Sequence, residues 1–142
     1  MNATSKFGGH MSGHNVASIL VGKQVLIAED EIHVLLLLED MLTSLGCRVA
    51  QTASRVDEAL RFAQSCDVDV AVLDVNLYGQ KVYPAAEVLR RRSVPLVFST
   101  GYSVAGIDPE WATYPVVQKP FLVERLAQAL AQALPGSGPC IG

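Results

Sequence analysis

The chain lacks any apolar run long enough to cross a bilayer. The longest, residues 34–38, falls far short of the ~20 residues a spanning helix needs. No basic n-region followed by an apolar stretch opens the sequence, so no secretory signal is expected, and the cytoplasm is the expected location. An excess of positive charge is also missing. Lys and Arg number 11 against 14 Asp and Glu, for a net charge of −3, which argues against nucleic acid as a partner. Arg90-Arg91-Arg92 is the basic cluster that stands out, and its expected role is to complement the dipole at a helix end. Cysteine is sparse: Cys47, Cys66 and Cys140 are odd in number and show no CxxC spacing, so reduced thiols are expected. His10 and His14 sit four apart in Gly-rich sequence without the further ligands a closed metal site needs. His33 is expected at the surface or rim. Charged residues make up only 18% and hydrophobic residues 50%, which excludes a disordered chain and gives 142 residues enough apolar side chains for one domain with a real core. No internal repeat, second domain or dedicated output module is evident.

What the chain does have is alternation. Residues 25–28 form a short apolar run, predicted as strand one. Residues 31–45 follow with apolar positions at helical spacing, stopped by Gly46. Residues 48–52 are a weaker strand. Ser54 is the expected cap of a second helix with Asp57 and Glu58 in its first turn. Residues 68–73 are nearly all apolar, as a central parallel strand should be. A third helix is predicted over 85–92, with Pro84 suited to its first turn. Strand four is predicted over 94–99, strand five over 116–118 and a final helix over 122–134. Gly106, Pro109 and Pro115 make the expected fourth helix short, irregular or absent, and the segment 102–115 mobile. The expected boundaries are a flexible extension over 1–22, the domain over 23–134 and a flexible tail over 135–142. Five βα units with short connections imply a three-layer α/β sandwich.

Four short pieces lie at or just past the C-terminal ends of these strands: Glu29-Asp30, Asp74, Thr100 and Lys119-Pro120. In an open parallel sheet those ends line one edge, where ligands bind. Three carboxylates converging there repel one another, and a divalent cation removes the conflict. Mg²⁺ takes octahedral oxygen coordination and keeps several waters. Asp30 and Asp74 are expected to bind it directly, Glu29 through a water, and the backbone carbonyl of Asn76 to add a ligand. Asp74 is then placed to attack phosphorus and form an acyl phosphate. Mg²⁺ and Lys119 offset charge on the equatorial oxygens, the Thr100 hydroxyl donates to another, and Gly101 leaves the mouth open. Each piece alone has a bland reading as a helix start, a turn or a surface lysine; it is the joint placement on four strands that points to phosphoryl chemistry.

The segments VLIAEDE (25–31), VAVLDVNL (70–77), PLVFSTGY (95–102) and QKPF (118–121) carry a resemblance. From Gln24 to Leu134 the chain resembles a response-regulator receiver domain of bacterial two-component signalling, of the CheY-like superfamily. That resemblance implies a flavodoxin-like (βα)₅ fold with strand order 2-1-3-4-5. It implies that Asp74 is the phosphoacceptor, Glu29 and Asp30 the metal pair for Mg²⁺ or Mn²⁺, Thr100 the switch hydroxyl and Lys119 the phosphate-binding lysine. The implied donor is a phosphohistidine on a sensor histidine kinase or a histidine phosphotransfer protein. Residues 95–102 and the stretch from Asn76-Leu77 to Tyr83-Pro84 are further similar to single-domain "FAT GUY" receivers, with Ser99 in place of the usual alanine. Such proteins are typical of alphaproteobacteria and often work with HWE or HisKA2-type kinases.

One departure concerns the switch. Many receivers carry an aromatic residue three before the lysine, and here that position is Val116. Ordering of 102–115 on phosphorylation is the expected substitute. Asn76 and Tyr102 are the expected tuners of acyl-phosphate lifetime. The chain is expected to be a phosphoacceptor with self-catalysed transfer and dephosphorylation rather than a conventional enzyme. It is expected to bind an unidentified downstream protein, and to be a monomer or a weak phosphorylation-dependent homodimer through the stripe Leu122, Leu126 and Leu130, which serves equally well as core. Two other classes compete: a phosphorylation-independent docking module on the same fold, and a small enzyme such as a metal-dependent phosphatase or flavin binder. A flavin phosphate loop would want Ser, Thr and Gly after strand one, where this chain is acidic.

Overall fold

The computed structural model describes residues 18–101 and 106–135. The order is β1 (Gln24–Ala28), α1 (Ile32–Ser44), β2 (Arg48–Ala53), α2 (Val56–Ser65), β3 (Val70–Asp74), β4 (Asn76–Leu77), β5 (Gln80–Lys81), α3 (Tyr83–Arg91), β6 (Leu96–Thr100), a 3₁₀ turn (Pro109–Trp111), β7 (Val116–Gln118) and α4 (Val123–Ala133). Five strands form one parallel sheet in the order β2-β1-β3-β6-β7, while β4 and β5 make a separate antiparallel hairpin. Leaving the hairpin out, this is the expected 2-1-3-4-5 order of the flavodoxin-like fold.

Side-chain alternation along the strands builds two cores. On β3, Ala71 and Leu73 face one side and Val70 and Val72 the other, the period-two consequence of a pleated backbone. The first side is covered by Ala59 and Ala63 of α2, Ala85, Ala86 and Leu89 of α3, and by Trp111. The second is covered by Leu38 and Leu42 of α1 and by Leu126 and Leu130 of α4. The leucine stripe of the final helix is therefore core at Leu126 and Leu130, and only Leu122 is exposed. Because β3 and β6 are buried on both faces, all ten of their residues are buried.

Several local expectations need correction. The packed body begins before residue 23: Ser18–Leu20 form a helical turn, Leu20 is fully buried, and the Gly22 N–H donates to the Gly46 carbonyl at 2.7 Å. An apolar side chain that fills the space beneath α1 and β2 cannot belong to a free extension. Ser54 does not cap α2 with its side chain. Instead Glu58 reaches back, its Oε1 accepting from the Ser54 N–H at 3.0 Å and the Ser54 hydroxyl at 3.3 Å. Arg90 and Arg91 pair with Glu87 within α3, but Arg92 serves the neighbouring helix, donating to the carbonyls of Ala63 and Cys66 at the end of α2. Gly46 ends α1 as expected, at φ +92°, where a side chain would also press on Val21.

Where a fourth crossover helix would stand, the described residues hold no α-helix, and Pro109–Trp111 form a 3₁₀ turn. Trp111 anchors it, stacked on Tyr83 at 5.8 Å between ring centroids and edge-on to Phe98 at 5.7 Å. The Tyr83 hydroxyl also accepts from the Asp108 N–H at 3.0 Å. Proline and glycine prevent a regular helix, and an aromatic cluster supplies the burial it would have provided. Residues 1–17 and 136–142, with His10, His14 and Cys140, and residues 102–105, with Tyr102, lie outside the described residues. Cys47 and Cys66 are free thiols, and burial pushes the Cys47 thiol up to about 11. His33 is exposed, and among the described residues no helix is long and apolar enough to cross a membrane.

Candidate functional site

Parallel pairing aligns the strand ends. Asp74 is opposite Ser99 and Thr100 opposite Gln118, so Asp74, Thr100 and Lys119 reach the same edge of the sheet. The Lys119 N–H donates to the Thr100 carbonyl at 2.8 Å, extending the ladder one residue past β7. Glu29 and Asp30 enter from β1, where the Glu29 N–H donates to the Ala53 carbonyl at 2.9 Å. Strand geometry thus brings together side chains up to 90 residues apart in sequence.

The Lys119 ammonium is the centre of the cluster. Its Nζ donates to Asp74 Oδ2 at 2.9 Å and to Glu29 Oε1 and Oε2 at 3.1 and 3.2 Å, with Glu31 Oε1 farther off at 3.8 Å. Asp74 Oδ1 accepts the Asn76 N–H at 3.2 Å, and Asp30 Oδ2 accepts the Tyr78 N–H at 2.9 Å. Glu29, Asp74 and Thr100 are buried. Burial, then the charge of Asp74, push the Glu29 carboxyl up to about 7 against the pull of Lys119 and the Glu31 N–H. For Lys119, burial favours the neutral amine, but the hydrogen bond and charge of Asp74, reinforced by Glu29, more than offset it and hold the ammonium above its ordinary value.

One oxygen from each of Glu29, Asp30 and Asp74 lies within 4.8 Å of the others. Neighbouring oxygens of an octahedron with 2.0–2.1 Å bonds stand ~2.9 Å apart, so the acids would draw closer, or one would reach through a water, to hold Mg²⁺. The Asn76 side-chain oxygen is also buried without a hydrogen-bond partner. The site opens into a cavity of about 470 Å³ bordered by Asp30, Asp74, Asn76, Lys81, Thr100 and Lys119. A larger cavity of about 710 Å³ runs along β7 and α4, but the carboxylates do not line it.

The structure gathers Glu29, Asp30, Asp74, Asn76, Thr100 and Lys119 as the sequence predicts. Two features escaped sequence reasoning. Lys81 borders the cavity, and the Tyr78 N–H holds Asp30; both depend on the β4–β5 hairpin. Tyr78-Gly79 was the available signal, a glycine between two short extended stretches.

The family model for the response regulator receiver domain matches residues 25–131, and the chain belongs to that family. It is thereby a signalling domain of the two-component type, a class that binds Mg²⁺ at an acidic pocket. The solution structure of SdrG from Sphingomonas melonis Fr1 is 39% identical, with 85% of this chain and 97% of that one covered and a TM-score of 0.72. The receiver domain of PhyR from Erythrobacter litoralis is 27% identical over 87% of this chain and 98% of that one, with a TM-score of 0.73. The transcriptional regulatory protein PdtaR of Mycobacterium tuberculosis is 29% identical over 124 residues, or 83% of this chain. The chain spans about 60% of the length of that curated relative.

Proposed function

We propose that the protein accepts a phosphoryl group on Asp74 from a phosphohistidine of a sensor histidine kinase or histidine phosphotransfer protein, and that this changes its binding to a downstream protein. The observation that carries this reading is the Lys119 ammonium 2.9 Å from Asp74 Oδ2, beside two further acids that fit a divalent cation. Glu29, Asp30, Asp74 and the Asn76 backbone carbonyl would hold Mg²⁺, or Mn²⁺ in its place. When bound, the cation neutralises acid charge and offsets negative charge on the phosphoryl oxygens.

An Asp74 carboxylate oxygen forms the new O–P bond as the donor's N–P bond breaks. The electron pair leaves with the imidazole nitrogen, which takes a proton from solvent. Lys119 follows the developing charge from the carboxylate to a phosphoryl oxygen. Thr100, one strand over, donates its hydroxyl to another. Water later attacks phosphorus, the Asp74 O–P bond breaks, and inorganic phosphate leaves as the carboxylate is restored. Asn76 lines the path of that water and tunes the lifetime of the acyl phosphate, as Tyr102 is expected to do. Phe98 lies two residues before Thr100 on the same face of β6 and touches Trp111, so a shift at Thr100 reaches the 106–115 segment without an aromatic at Val116.

Intact mass after incubation with phosphoramidate tests the reading, with and without Mg²⁺ and beside Asp74→Asn. A single phosphoryl adduct that needs Mg²⁺ and vanishes in the variant supports it. A folded parent that takes no adduct from phosphoramidate or from a kinase transfer reaction would leave a docking module.

A further inference from the structure

Beside the β4–β5 hairpin, outside the residues that line the acid pocket, the Arg55 guanidinium lies 4.5 Å from the centroid of the Tyr78 ring. The two come from different units, Arg55 from the residue before α2 and Tyr78 from the hairpin turn. Leu77 pairs with Gln80, so Tyr78 and Gly79 alone make that turn. Both have positive φ, 49° and 81°, the geometry of a two-residue type I′ turn. Gly79 adopts it freely. Tyr78 carries a Cβ and is strained there; asparagine, aspartate or glycine is the preferred residue. A cation held over its ring opposes that strain.

The strain matters because the Tyr78 N–H is the group that holds Asp30 Oδ2 at 2.9 Å. A turn that relaxes toward negative φ rotates this peptide and releases the carboxylate. We propose that Arg55 is a positioning residue for the acid pocket: by stacking on Tyr78 it keeps the hairpin turn in the left-handed geometry in which the Tyr78 N–H fixes Asp30. The inference rests on the reading of Glu29, Asp30 and Asp74 as a cation-holding cluster, and it adds a residue that touches neither cation nor phosphate.

Bulk electrostatics makes the opposite prediction. Removing a positive charge near an acid cluster should tighten divalent-cation binding. If Arg55 acts through the turn, removing it should weaken binding, so the sign separates the two.

The test uses the full chain with Mg²⁺ as the probe, followed by amide chemical shifts, and measures Tyr78 amide exchange without Mg²⁺. Arg55→Ala is expected to weaken Mg²⁺ binding by about 2- to 5-fold, the range of an exposed cation–π contact, and to speed Tyr78 exchange by a similar factor. Tyr78→Phe, which keeps a ring, is expected to match the parent. Tyr78→Asn in the Arg55→Ala background is expected to restore affinity, because Asn-Gly favours this turn unaided. Either readout unchanged in Arg55→Ala, or tighter Mg²⁺ binding, overturns the proposal. If the parent itself binds no Mg²⁺, the cation reading of the site fails; Tyr78 exchange then decides the clamp, faster exchange supporting it and unchanged exchange overturning it.

Discussion

Lys119 and Asp74, 45 residues apart in sequence, meet at 2.9 Å because β7 and β3 flank β6 in register and end at the same edge. The ammonium takes one Asp74 oxygen while the Asn76 N–H takes the other at 3.2 Å. The Asp74 carboxylate is thus held at both oxygens.

Lys119→Met is expected to abolish stable phosphorylation and to cost about 1–3 kcal/mol at neutral pH, because two buried carboxylates lose their cation. The loss should shrink toward pH 5, where Glu29 takes up a proton instead. Urea unfolding at both pH values, with phosphoramidate labelling, checks it. Equal stability of variant and parent at pH 7.5 would count against Lys119 as the neutralising group.

The pH dependence of stability follows from Glu29. Its carboxyl titrates at about 7 in the folded chain against an ordinary 4.5. Between those values the folded protein keeps a proton that the unfolded chain has lost. Stability without Mg²⁺ should therefore be full below pH 4.5 as regards this group and fall as pH rises through 7, by up to about 3 kcal/mol. Mg²⁺ competes with that proton, so its apparent affinity should rise over the same window. Asp74→Asn removes the second cause of the shift and should lower the Glu29 midpoint, measured by carboxyl NMR titration.

Ser99→Ala should be neutral or stabilising by up to about 1–2 kcal/mol. The Ser99 hydroxyl is buried without a partner, so its removal deletes an unpaid desolvation cost. A chemical-denaturation midpoint below that of the parent would reveal a hydrogen bond or a functional strain at this position.

Asn76→Ala should change the half-life of the acyl phosphate more than it changes stability, since Asn76 lines the cavity beside Asp74. Time-resolved loss of the mass adduct gives the half-life and thermal unfolding gives the stability. An unchanged half-life contradicts the tuning role.

Trp111 is the only tryptophan in the chain and sits edge-on to Phe98. Its emission is expected to shift when beryllofluoride and Mg²⁺ are added, with slower amide exchange across 106–115. Both should be lost in Thr100→Val. Unchanged emission and exchange would remove this segment from the switch.

Much of this was legible in the chain. Continuous apolar runs such as 70–73 have few fates other than a buried parallel strand, and helical spacing between them required crossovers on both faces. The ends of those runs located Glu29, Asp30, Asp74, Thr100 and Lys119, because the C-terminal edge of such a sheet is fixed by topology. Local signals failed where a partner distant in sequence outbids them. Ser54 reads as a cap until Glu58 occupies it, Arg92 reads as serving its own helix until α2 presents its carbonyls, and Leu20 reads as an extension until β2 and α1 close over it.

The sequence by itself determined the strand order of chemistry: which residue types stand at which strand ends, and so what class of reaction the edge can host. Only the tertiary structure decided distances and charge states. That Lys119 bridges Asp74 and Glu29, that Glu29 is held near 7, and that a hairpin turn grips Asp30 all depend on ångström-scale convergence of segments far apart in the chain. Electrostatic and hydrogen-bond energies fall steeply with distance and depend on burial, and neither quantity is written in a one-dimensional pattern.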